Sequence, residues 1–114
     1  MRIGTEERGD VTVLRLVGKL TIGDGDVLLR ETFAERLRNG SRRFLLDMTE
    51  ISYVDSAGLG ETVVCAKRAG ENGAVIKIVM SARGKAREVF VVSCLDRVFE
   101  IFTDEDAAMA SFAP

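Results

Sequence analysis

The sequence predicts an α/β domain: a mixed central β-sheet with amphipathic helices packed on it, in the order β-β-α-β-α-β-α-β-α. Three observations predict it. Short β-rich runs alternate with helical patterns along the whole chain. A composition of 46% hydrophobic and 30% charged residues with a single proline suits a folded chain and excludes disorder. The length, 114 residues, fits one compact unit and leaves no room for a separate substrate domain. One domain is therefore expected over residues 1–114, with a core that stands without disulfide or metal.

Arg2 to Arg8 and Val11 to Val17 are β-rich runs split by Gly9-Asp10, which reads as an antiparallel hairpin. Gly18 leads into a polar, glycine-punctuated loop over 21–26. Leu29, Phe33 and Leu37 then recur at i, i+4 spacing in a helix ending near Asn39-Gly40. Phe44 to Met48 is a nearly continuous apolar run, as expected for a strand covered on both faces. A second helix begins after Asp55, with Leu59, Val63, Ala66 and Ala69 or Gly70 inward, and stops at Asn72-Gly73. Ala74 to Met80 repeats the buried-strand composition. Ser81 can cap a third helix that turns Ala86, Val89, Phe90 and Cys94 inward. Val98 to Phe102 is a last strand, and Thr103 to Asp106 opens a small acidic-capped helix running to Phe112.

Charge and composition exclude several classes of function. Sixteen basic against eighteen acidic residues give a net charge of −2, and no basic run exceeds Arg42-Arg43, so no nucleic-acid footprint is present. No apolar segment approaches the roughly 18 residues of a membrane span, and the N-terminal residues lack a signal-peptide apolar region. A cytoplasmic protein is expected. Cys65 and Cys94 form no paired motif and read as buried small hydrophobes. The absence of histidine removes Ser-His and Cys-His catalytic pairs, and with them the commonest zinc ligand.

The chemistry-bearing stretch is Ile51 to Gly60, where Asp55-Ser56 opens a helix carrying Gly58 and Gly60 in its first turns. A hydroxyl there lies near unpaired backbone N–H groups, which favour a negatively charged substituent. As structure alone, Asp55 or Ser56 caps the helix and the two glycines allow close packing on the sheet. Enzymatic readings fail on the residues. Val54 stands where a nucleophile elbow needs glycine. Gly18-Lys19 and Gly84-Lys85 lack the rest of a Walker loop, and Gly58-Leu59-Gly60 lacks the third glycine of a dinucleotide fingerprint. Asp24-Gly25-Asp26 lacks the distal ligands of a calcium loop, and Asp47 has no acidic cluster to hold magnesium. No catalytic residue, metal site or cofactor is expected.

The stretch Leu45 to Gly60, with a buried run ending in Asp47, a short loop and then Asp55-Ser56-Ala57-Gly58-Leu59, resembles the signature of the bacterial anti-sigma-factor antagonists, the STAS domain. The resemblance extends over essentially the whole chain, through the closing Leu95 to Phe102 and the terminal helix. It implies a substrate and binding partner rather than an enzyme. Ser56 would be phosphorylated by a partner that is both anti-sigma factor and serine kinase, and a phosphatase would reverse it. The unmodified form would hold the anti-sigma factor and free the sigma factor. Asp55, Ala57, Gly58, Leu59 and Gly60 would contact that partner, together with Thr21 and Asp24 of the preceding loop. Thr21, in Gly18-Lys19-Leu20-Thr21, stands where the family usually has an acid. The free chain would be a monomer that binds neither nucleic acid nor membrane. The alternative is a scaffold subunit of a larger sensory assembly, or an accessory interaction module without a phosphorylation switch, in which Ser56 only caps its helix.

Overall fold

The computed structural model describes residues 1–112; Ala113 and Pro114, the end of the predicted domain, lie outside the described residues. A hairpin opens the sheet, β1 (Arg2–Arg8) and β2 (Val11–Leu20), turned by Gly9 at φ +62°. Then follow α1 (Gly25–Arg38), β3 (Arg43–Val54), α2 (Ser56–Glu71), β4 (Val75–Val79) and α3 (Lys85–Val92). A 3-10 turn (Leu95–Arg97), β5 (Ile101–Phe102) and α4 (Glu105–Ala110) complete the predicted order.

The five strands lie in sequence order, β1-β2-β3-β4-β5, with β1 antiparallel to β2 and the other pairs parallel. Right-handed crossovers between strands laid down in one direction all fall on one face. Accordingly Leu29 and Phe33 of α1, Cys65 and Ala69 of α2, and Ala86 and Phe90 of α3 share one core with Leu14, Leu16, Phe44 and Leu46. Helix α4 crosses back and covers the other face, where Ala108 and Phe112 pack on Val11, Val13, Leu45 and Val79. Strand β3 is thus buried on both sides, as its apolar run predicts.

Several elements differ from their sequence reading. Strand β3 continues six residues past Met48. Its pairing with β2 shifts between Arg15 and Val17 and again between Gly18 and Lys19, where β3 has one more residue than β2 each time. Each such bulge breaks the two-residue alternation, so the inward positions after Met48 are Ile51 and Val54. Asp55 alone therefore separates β3 from α2, and loop 21–26 shrinks to residues 21–24.

In α2 the buried face is Gly58, Glu61, Thr62, Cys65 and Ala69, while Val63 is 40% exposed. Contact at Gly58 sets the helix rotation, and the inward positions recur from there. Helix α3 starts at Lys85 after Gly84 at φ +112°, so Ser81 is exposed ahead of the bend at 82–84 and does not cap it. It ends at Val92, before the helical period reaches Cys94, which is exposed at φ +60° and is not the buried residue expected. Cys65 is buried, and that burial, reinforced by Glu61, pushes its thiol up to about 12. The last strand is only Ile101–Phe102, because the Val98 and Phe99 amides turn back to the Leu95 carbonyl (both 3.0 Å), and α4 stops at Ala110.

A row of charge crosses the α4 face. Arg15 donates to Glu6 (2.8 Å), Asp47 (2.9 Å) and Glu105 at the start of α4 (2.6 Å), and Arg8 also donates to Glu105. The paired carboxylates hold the Arg15 guanidinium firmly in its charged form. At the other end of α4, Lys77 Nζ donates to the Ser111 carbonyl (3.0 Å) and lies 4.7 Å from the centre of the Phe112 ring.

Candidate functional site

The parallel strands β2 and β3 end side by side, Leu20 opposite Val54, and the corner beyond them is built around Asp55. Asp55 is the N-cap of α2: its extended backbone and short carboxylate let Oδ1 accept from Gly58 N (2.9 Å). Oδ2 accepts from Ile22 N in the β2–α1 loop (2.9 Å), and the Asp55 N–H donates to the Leu20 carbonyl (3.2 Å). One side chain therefore joins the helix start to the neighbouring loop. These N–H donors, Gly58 first and Ile22 next, hold the Asp55 carboxyl below the ordinary aspartate range.

Two glycines let both helix starts press on the end of β2. A Cβ on Gly58 would collide with the Leu20 carbonyl oxygen and stand 2.7 Å from Leu20 Cγ. One on Gly25 would stand 2.6 Å from the Lys19 carbonyl oxygen. Gly60, by contrast, faces open space and does not pack on the sheet.

The named residues come together at this corner with different roles. Ser56 is exposed at the first position of α2 and leaves the capping to Asp55. Ala57 is half-buried, Gly58 is buried beneath Leu20, and Leu59 packs partly against the core. In the loop, the Thr21 carbonyl accepts from the Asp24 and Asp26 amides (3.4 and 3.1 Å), forming the turn into α1. Asp24 holds the N-cap position without a side-chain cap bond, and its carboxylate meets the Met1 ammonium at 3.0 Å. The Asp26 carboxylate accepts from its neighbour Val27 (2.8 Å), so the two acids are engaged separately.

Two exposed apolar residues at the corner escaped the sequence reading: Ile22, 74% exposed, and Tyr53, 47% exposed. The available signal was a lone branched apolar residue inside a polar loop, next to the acidic run. A third residue also went unread. Glu61 is nearly buried on α2, 3.5 Å from Arg30 of α1, and burial raises its carboxyl above the ordinary range despite that arginine.

The comparisons with known proteins agree with this architecture. The STAS domain family matches residues 2–108, and the chain belongs to that family. BtrV of Bordetella bronchiseptica, named a candidate anti-sigma factor antagonist, is 25% identical over 112 residues, covering 98% of this chain and 95% of its own. A crystal structure from Thermotoga maritima, also named a candidate anti-sigma factor antagonist, superimposes with a TM-score of 0.86 at 25% identity, covering 96% of this chain and 92% of that one. The phosphorylated form of the Bacillus cell fate determinant SpoIIAA shares the fold, with a TM-score of 0.72 at 19% identity over 96% of this chain and 99% of that one. No helix among the described residues is long and apolar enough to cross a membrane, and no cluster of three or more His, Cys, Asp or Glu could hold a metal ion.

Two predictions follow from the corner. A carboxyl whose pKa is lowered by folding stabilises the fold above its unfolded pKa and loses that contribution as pH falls through the folded value. Unfolding titrations should therefore show wild-type stability falling more steeply below about pH 4 than that of Asp55→Asn, which is weaker at neutral pH and flatter in acid; parallel curves would contradict the capping role. Gly58→Ala should lower unfolding free energy by about 1–3 kcal/mol through overpacking, whereas Gly60→Ala, in an exposed helical position, should raise it by about 0.5–1 kcal/mol.

Proposed function

We propose that this protein is an anti-sigma-factor antagonist whose partner binding is switched by phosphorylation of Ser56. The observation that carries the reading is the exposed hydroxyl residue at the first position of α2, beside an aspartate that already performs the cap. The names of the relatives support the class. In this reading the partner is an anti-sigma factor that is also a serine kinase, a phosphatase restores the unmodified form, and the chain is acted on rather than catalytic. Ser56, Gly60 and Asp24 offer exposed contacts, Asp55, Ala57 and Leu59 flank them, and Thr21 and Gly58 shape the corner. The exposed Ile22 and Tyr53 supply its apolar part.

A phosphate adds about −1.5 to −2 charges. At a helix N-terminus the dipole and free N–H groups favour it by about 0.3–1 kcal/mol, so the fold tolerates the modification. Burying the dianion beside Asp55 at an interface costs several kcal/mol unless the partner offers matched cations. About 3 kcal/mol already weakens binding more than a hundredfold.

Incubation with the cognate kinase and ATP, read by mass spectrometry, should place a single phosphate on Ser56 and none on Ser56→Ala. Label persisting in that variant would remove the assignment. Ser56→Asp should melt within a few degrees of wild type yet bind the anti-sigma factor at least about tenfold more weakly.

A further inference from the structure

The outer edge of β1 is a long, regular stretch of strand with no neighbouring strand among the described residues, and its charges complement themselves. We propose that β1 pairs antiparallel with β1 of a second copy of this chain, centred on Gly4, joining two five-stranded sheets into one.

Sheet order leaves β1 and β5 as edges, but β5 has only two residues while β1 has seven. Strand β1 matches β2 one to one from Arg2↔Val17 to Arg8↔Val11, without a bulge, and Arg2–Arg8 contains no proline. Short length, a bulge and a proline, three devices that blunt an edge, are missing from it; the charges of Arg2, Glu6, Glu7 and Arg8 remain, and they decide which register can form.

The hairpin fixes which backbone groups are free. Its loop is two residues long, with Gly9 at positive φ in the first central position, as in a type II′ turn. Arg8 and Val11 therefore close the loop and exchange both their hydrogen bonds, and the pattern alternates along the ladder. Glu6, Gly4 and Arg2 turn their backbone groups to β2. Ile3, Thr5 and Glu7 turn theirs outward.

Two copies related by a two-fold axis perpendicular to the sheet must place one residue opposite itself. Centring on Gly4 sets Ile3 opposite Thr5 of the second copy, so outward groups meet outward groups. It also sets Arg2 opposite Glu6, twice by symmetry. Centring on Thr5 would oppose Arg2 to Arg8, and centring on Glu6 would oppose Glu6 to itself. Opposite charges across strands stabilise a sheet and like charges destabilise it, which selects the Gly4 register.

Two features of the surface agree with that register. A Cβ on Gly4 would have no neighbour within 4 Å, so the centre of the pairing is open to close backbone approach. On the α4 face, the row Glu105–Arg15–Glu6 ends at the edge in a half-exposed carboxylate, while Arg2 makes no ion pair among the described residues. A second copy supplies a cation beyond Glu6 and a carboxylate beyond Arg2, and the row continues across the junction. This association departs from the sequence expectation of a monomer and does not depend on the phosphorylation reading.

Sedimentation velocity on the untagged chain should show a monomer–dimer equilibrium that shifts with concentration. Thr5→Pro removes an outward amide without touching the ladder to β2, so it should remain monomeric with an unchanged circular dichroism spectrum. Arg2→Glu and Glu6→Arg should each raise the dimer dissociation constant about tenfold or more. An equimolar mixture of these two variants should associate again, because each then meets its opposite. A chain monomeric at every concentration, or a dimer that none of these substitutions weakens, overturns the proposal.

Discussion

The corner of this protein depends on one carboxylate. Asp55 accepts one N–H from the helix it caps and one from a loop that is far away in sequence, while its own N–H closes on the end of β2. Only a short side chain with two acceptor oxygens can do both at once. Without it the first turn of α2 would lose a partner for its orphan donors, and the β2–α1 loop would lose its fixed point. Ser56 owes its freedom to this arrangement, since the residue before it does the work that a serine at a helix start would otherwise do.

Much of the fold was legible in the sequence because its signals were local. The order of strands and helices followed from alternating patterns, and the two-sided burial of β3 from an unbroken apolar run, Phe44 to Met48. What was illegible depended on pairing between segments. Nothing in residues 49–54 alone shows that β3 has one more residue than β2 at each of two points, so a strand with broken alternation looked like a loop. The rotation of α2 is illegible for a related reason: the contact between Gly58 and Leu20, rather than the spacing of Leu59, Val63 and Ala66, decides which face turns inward. Cys94 falls on the expected inner face only if the helix runs two residues past Val92, where it ends.

The candidate site divides along the same line. Asp55-Ser56 at a helix start was readable, as was the loop that faces it, because a helix N-terminus has a chemical signature. The link between them was not, since Ile22 enters through its backbone amide and any residue could supply that. The two faces of the sheet also hold different physics. One carries three helices and an apolar core. The other is partly bare and is organised by Arg15, whose carboxylate partners come from β1, β3 and α4 and tie the last helix to the first hairpin.

The glycine contacts at the end of β2 bear on timing. Gly58 and Gly25 leave no slack between the two helix starts and the strand, so the corner is closely packed in the unbound chain. A preformed surface loses little ordering entropy on docking. Under the proposed switch, release requires no refolding step, and the lifetime of a complex at this corner would be set by how fast the contacts break once their charge balance changes. In that switch the missing methyl groups would act on kinetics: close packing at the corner would let it respond as quickly as its chemistry allows.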